Sequence, residues 1–177
     1  GTLRKTKQLN KNKALTFFRR NEKETKEHNM IVDMERNDLS KICKTGSVKI
    51  DKLKKVEEYR DLFHYVTTIK GVIKNKMSNH DIISSLMPGG SVIGCPKIST
   101  IQLLNRKEKF DRNIYTGSFG IIHSNGDMRF NIMIRTLLNF KNDIELSVAS
   151  GVILGSTANK EYNENYIKAK SLLDLFN

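Results

Sequence analysis

Between Asn21 and Cys43 the chain contains no proline and no glycine, and Met30, Ile31, Met34, Leu39 and Ile42 fall on one side of a 3.6-residue period. That stretch predicts a long helix, with Lys41 and Lys44 suited to its C-terminal end and Gly46 closing it. A one-sided helix of this length has to be covered by something. Beyond Gly46 the period changes. Ser47-Val48-Lys49-Ile50 alternates like a short strand, and Tyr59 to Ile69 holds Phe63, Tyr65 and the β-branched run Val66-Thr67-Thr68-Ile69. Ser78-Asn79-His80-Asp81 predicts a capped helix through Leu86, and Pro96 opens another that runs to about Arg106.

From Asn113 onward the pattern turns to hairpins. Phe119 to His123, the Asn125-Gly126 pair and Met128 to Phe140 read as two strands about a tight turn, and Asn142-Asp143 turns again into Ile144 to Ala149. The expectation is one antiparallel meander. A last helix is predicted from Asn159 to Phe176, with Tyr162, Tyr166, Ala169, Leu172 and Leu173 toward the core. Helices before and after an antiparallel sheet give an α+β class.

The chain is basic, with 31 lysines and arginines against 19 acidic residues and a net charge of +12 over 177 residues. Residues 1–30 carry nine basic and three acidic side chains, half of the excess. Residues 1–20 therefore read as a mobile basic segment, and residues 21–177 as one domain portion. A basic chain points first to a polyanion, so a nucleic-acid-binding module is one reading. Phe17 and Phe18 are the only aromatics in that segment, however, and no zinc-finger, helix-turn-helix or RNA-recognition signature occurs. Two cysteines cannot build a disulfide scaffold. No run is apolar and long enough for a membrane span, so a cytoplasmic protein with no membrane and no nucleic-acid partner is expected.

Candidate chemistry lies in three places. Glu24 and Glu27 are spaced i, i+3 on the first long helix, and Glu161 and Glu164 on the last, with Lys168 four residues on. Hard cations take oxygen ligands, and the alternative is ordinary solvated charge. Met87 to Lys97 packs three glycines and two prolines into eleven residues, opening onto a helix N-terminus without matching the phosphate-loop pattern. Arg135 stands in an otherwise apolar strand pattern, where a guanidinium must be paired or face a site. His64 lies between Phe63 and Tyr65, a setting that favours a satisfied core histidine, and His28, His80 and His123 show no clear partner.

Together and in this order, these pieces resemble the C-terminal part of the chorismate-utilising enzymes. The resemblance is densest over Glu27-His28-Asn29-Met30-Ile31-Val32-Asp33 and Arg36-Asn37-Asp38-Leu39. It continues through Gly46-Ser47-Val48, His64-Tyr65-Val66-Thr67, Pro88 to Lys97, Tyr115-Thr116-Gly117, Ile134-Arg135-Thr136, Gly151-Val152-Ile153 and the Glu161, Glu164, Lys168 triplet. Pro-Gly-Gly-Ser at 88–91 and Gly117-Ser118-Phe119-Gly120 resemble the aminodeoxychorismate synthase version more than the anthranilate synthase one.

The resemblance implies a fold of antiparallel sheet layers flanked by helices, and a substrate, chorismate, held with Mg²⁺ on its ring carboxylate. By that likeness Glu27 and Glu164 are direct metal ligands, while Glu24 and Glu161 hold metal-bound water or lie close to the ring. Tyr115, Arg135, the Gly151 backbone and Lys168 fix the substrate carboxylates. His64 lies near the departing 4-hydroxyl, and Ser91 beside the substrate. A glutamine amidotransferase subunit delivers ammonia. Ala149-Ser150-Gly151 departs from a family run that is usually richer in glycine. The family's attacking lysine would stand just before Gly1, so the 177 residues alone are expected to be inactive, and exposed sheet edges make a homodimer of this piece possible.

Overall fold

The computed structural model describes residues 1–60, 62–141 and 143–174. The described chain divides into two compact units, Gly1–Ser91 and Val92–Asn177.

In the first unit, β1 (Thr2–Arg4) leads into α1 (Lys11–Arg20) and α2 (Glu22–Ile42), followed by β2 (Lys49–Glu58), β3 (Leu62–Lys70) and α3 (Asn79–Leu86). The three strands form one antiparallel sheet in the order β1-β3-β2. The expected mobile segment at 1–20 is replaced by a strand and a helix. The reason is apolar: Ala14 and Phe18 of α1 are fully buried with Val56, Phe63 and Tyr65, and Phe18 stacks on Tyr65 at 4.7 Å between ring centroids. The lysines and arginines of the segment stay at the surface, as their charge requires.

Asn21 alone joins the two helices. Its N–H closes α1 on the Phe17 carbonyl, and its side chain accepts the Glu24 N–H to open α2. The predicted helix over 21–43 is thus confirmed to within a residue at each end. The strand expected at Ser47–Ile50 instead starts at Lys49 and runs to Glu58. Its lysine-rich sequence hides it, since β2 is an edge strand whose only buried side chain is Val56. A bulge between Lys52 and Lys55 puts Lys54 at a φ of 48°, and the Lys54 N–H is taken by the Thr67 hydroxyl at 3.0 Å. α3 opens on the capping box predicted from Ser78 and Asp81.

The boundary between the units falls inside the short helix α4 (Gly90–Ile93). The second unit holds α5 (Lys97–Lys107), β4 (Ser118–Ile122), β5 (Met128–Ile132), β6 (Leu137–Phe140), β7 (Asp143–Leu146) and α6 (Ala158–Leu173). The meander resolves into two separate hairpins, β4-β5 and β6-β7. β4 and β5 turn over Asn125-Gly126 as expected, with Gly126 at a φ of 91°. The long strand predicted from Met128 to Phe140 breaks after Ile132. Met133 pairs with Gly117 and Thr116, and Arg135 takes a left-handed φ of 51° that redirects the chain into β6. Asn142 of the second turn, and the end of the last helix at Phe176, lie outside the described residues. On α6 the expected core stripe holds in part: Ala169 is buried as expected, and Glu161 with it, whereas Tyr162 and Tyr166 are 74% and 61% exposed. Among the described residues no helix is long and apolar enough to cross a membrane.

Candidate functional site

In the first unit the site residues gather around the start of α2. Asn21 caps the helix, so Glu24 sits in its first turn, where the positive end of the helix dipole favours a carboxylate. Glu24 and Glu27 are both half-buried. A β-carbon built on Gly1 would lie 2.6 Å from Glu24 Oε2 and 2.8 Å from Phe18 Cε1, so only glycine lets the backbone pass this close to the carboxylate. The Gly1 carbonyl accepts the Tyr65 N–H at 2.8 Å, which ties this approach to β3.

His28, one residue beyond Glu27, is buried and does have a partner, contrary to its sequence reading. Its Nε2 lies 2.7 Å from the Thr67 hydroxyl, and its ring is tilted 4.7 Å from that of Tyr65. The Thr67 hydroxyl oxygen also accepts the Lys54 N–H, so one threonine links His28 of α2 to the bulge of β2. Burial, followed by neighbouring positive charge that includes Lys54 and His64, holds the His28 pKa down to about 4.

His64 itself is exposed, not the core residue its neighbours suggest. Strand alternation turns it to the face opposite Phe63 and Tyr65, in register with Thr2 and Glu57, with its ring 6.3 Å from Tyr59. Ser91 is half-buried on α4, next to the buried Gly90.

In the second unit Lys168 is the organising group. Its ammonium lies 2.8 Å from Glu164 Oε1 and donates to the Ala149 carbonyl at 3.2 Å. Tyr115 reaches the same backbone. Burial raises its pKa, opposed by the nearby Arg112 charge and a hydrogen bond from Ala149. Tyr115, Lys168 and Glu164 therefore converge on Ala149, two residues before Gly151, with Glu161 one helical turn before Glu164. A shallow pocket adjoins Tyr115, lined also by Ile114, Met133, Thr136, Leu138 and Glu145. Arg135 is the exception. It stands in the exposed bend between β5 and β6, with no hydrogen bond or ion pair among the described residues.

Sequence reasoning missed Arg112. It grips Glu108 with two parallel contacts of 2.8 and 2.6 Å and donates to the Thr116 hydroxyl at 3.2 Å, so it fixes the turn that presents Tyr115. No helical spacing could have found it, because α5 ends at Lys107 and Arg112 lies beyond it.

Within either unit, no three His, Cys, Asp or Glu side chains among the described residues gather as a metal site. The four candidate glutamates are divided two and two between the units. Their chemistry fits a hard divalent cation: all offer carboxylate oxygen, and Glu161 is only 7% exposed, a position where a carboxylate calls for a positive charge.

Residues 1–174 match the model of the chorismate binding enzyme family. The chain belongs to that family. It is 38% identical over 153 residues to an anthranilate synthase component I-like protein of Synechocystis, covering 86% of this chain and 32% of the relative. It is 37% identical over 149 residues to aminodeoxychorismate synthase component 1 of Bacillus subtilis, covering 84% and 32%. The crystal structure of anthranilate synthase component I from Streptococcus pneumoniae matches with a TM-score of 0.73 at 34% identity, covering 89% of this chain and 36% of that one. The chain thus spans about a third of the length of the curated relatives it matches. The family places the chain among chorismate-utilising enzymes, in accord with the motifs that run from Glu27 to Lys168.

Proposed function

We propose that the chain carries the chorismate-binding part of an aminodeoxychorismate synthase component I, which replaces the hydroxyl at ring carbon C4 of chorismate with an amino group. The observation that supports this best is the convergence of Tyr115, Lys168 and Glu164 on the backbone before Gly151. Chorismate is a dianion, and here a cation, a phenol and nearby backbone donors stand together. Lys168 and Tyr115 bind one carboxylate beside the Gly151 backbone. Arg135, with no partner of its own among the described residues, is available for the other.

Glu27 and Glu164 would hold Mg²⁺, with Glu24 and Glu161 fixing its water or lying close to the ring. When bound, the ion neutralises the ring carboxylate and eases departure of the 4-hydroxyl. His64 supplies the proton with which that hydroxyl leaves as water. Ammonia from a glutamine amidotransferase subunit forms the new C–N bond and gives up one proton. Ser91 lies in the loop beside the substrate.

The Pro88-Gly89-Gly90-Ser91 sequence supports amination at C4. The anthranilate synthase names among relatives of equal identity support the other member of the family. Incubating the intact protein with chorismate, Mg²⁺ and ammonium and separating the products decides between them. 4-Amino-4-deoxychorismate is expected, and anthranilate would move the assignment within the family. If neither forms, and Glu164→Ala leaves chorismate binding unchanged, the enzymatic reading fails. A steeply salt-dependent affinity for nucleic acid would then favour a basic binding module.

A further inference from the structure

We propose that Asp38 is a positioning residue for the loop at 88–91, acting through the Gly90 amide. Asp38 is 3% exposed, a place where a carboxylate is costly unless its oxygens are bonded. Its Oδ2 accepts the Gly90 N–H at 3.1 Å across 52 residues of sequence, and its Oδ1 accepts from the Lys41 ammonium at 2.9 Å. Gly90 is itself buried, so its amide depends on a protein partner and not on bulk water.

The loop needs such a hold. On its N-terminal side α3 ends at Met87, whose N–H closes the helix on the Ile83 carbonyl. Between that cap and Ser91 stand Pro88 and two consecutive glycines, the residues that restrain a backbone least. Asp38 bonds the second of them, one peptide before Ser91. An apolar side chain on α2 would fill the same space without fixing direction, whereas a carboxylate fixes both the distance and the orientation of the amide it accepts. Asp38 thereby sets the point from which Ser91 departs. This inference rests on the reading of that loop as part of the chorismate site.

Hydrogen exchange and steady-state kinetics on the intact protein test it, using Asp38→Ala, which removes the acceptor, and Asp38→Asn, which keeps an oxygen. In Asp38→Ala, the amides from Gly89 to Ile93 should exchange at least about tenfold faster while those of α2 and β3 are unchanged. KM for chorismate should rise about tenfold with kcat within about threefold. Asp38→Asn should restore most of both. Unchanged exchange at 89–93, or faster exchange throughout residues 1–91, overturns the clamp. Local loosening with KM unmoved overturns its role in placing the substrate loop. Chorismate binding by the unaltered protein is measured separately, so failure of the functional reading shows there, while the exchange comparison still judges the contact.

Discussion

Lys168 stands between Glu164, 2.8 Å away, and the Ala149 carbonyl, 3.2 Å away, so one ammonium ties a carboxylate of α6 to the backbone that leads to Gly151. Half-exposed pairs of this kind contribute little to stability, about 0–1 kcal/mol. Lys168→Met should therefore leave the melting temperature within a few degrees of the parent while raising KM for chorismate at least about tenfold. Equal KM values in the two proteins would remove Lys168 from substrate binding.

His28 predicts a pH dependence of stability. Its folded pKa, about 4, lies below the ordinary histidine value of 6.5, so the unfolded chain binds more protons between those two values. Stability from this group is complete above pH 6.5 and is lost as pH falls toward 4, by at most about 3 kcal/mol. Denaturant midpoints of the parent and His28→Gln, measured from pH 7 to pH 4, should approach each other as the pH falls. Parallel curves would contradict the assignment.

Glu108 and Arg112 should be energetically coupled. Arg112 holds Glu108 by two contacts and Thr116 by a third, and a lysine cannot reproduce that fork. In a double-mutant cycle of Glu108→Gln and Arg112→Lys, unfolding experiments should give a coupling of about 1 kcal/mol. Additive effects would reduce the contact to a surface pair.

Gly71 should resist even alanine. A β-carbon there would lie 2.6 Å from Cys43 Sγ and 3.1 Å from Cys43 Cβ, and the buried Cys43 leaves little room to shift. Gly71→Ala is expected to cost about 1–3 kcal/mol in chemical denaturation. Cys43→Ala in the same chain should recover part of that loss, because it removes the closer atom.

The readable parts of this fold were those in which local and tertiary demands agree. α2 has a capping asparagine at one end, a glycine beyond the other and an apolar stripe between them, so its limits follow from the residues. Tertiary context decided the rest. α1 is short and turns Ala14 and Phe18, one helical repeat apart, to the core amid charged residues that mask this spacing, and β2 buries Val56 alone. Arg135 escaped because a single left-handed residue, which no local pattern demands, ends the apolar run. Motif residues such as Glu27, Ser91 and Lys168 were named as candidates from the sequence alone. The contacts of Asp38, Thr67 and Arg112 were not legible, because each acts on a partner far along the chain or on a loop whose course only the fold defines.

Asn21 is at once the last word of α1 and the first of α2, which leaves no slack between Phe18 and His28. Both of those residues are pinned to β3, one against Tyr65 and the other to Thr67. Each residue of a helix advances its neighbours by about 100° around the axis. One residue inserted between Asn21 and Glu24 would therefore either swing Glu24 away from Gly1 or tear His28 from its hydroxyl. Length variation should be forbidden in this corner, and a library of single-residue insertions across positions 18–28 should return no functional member.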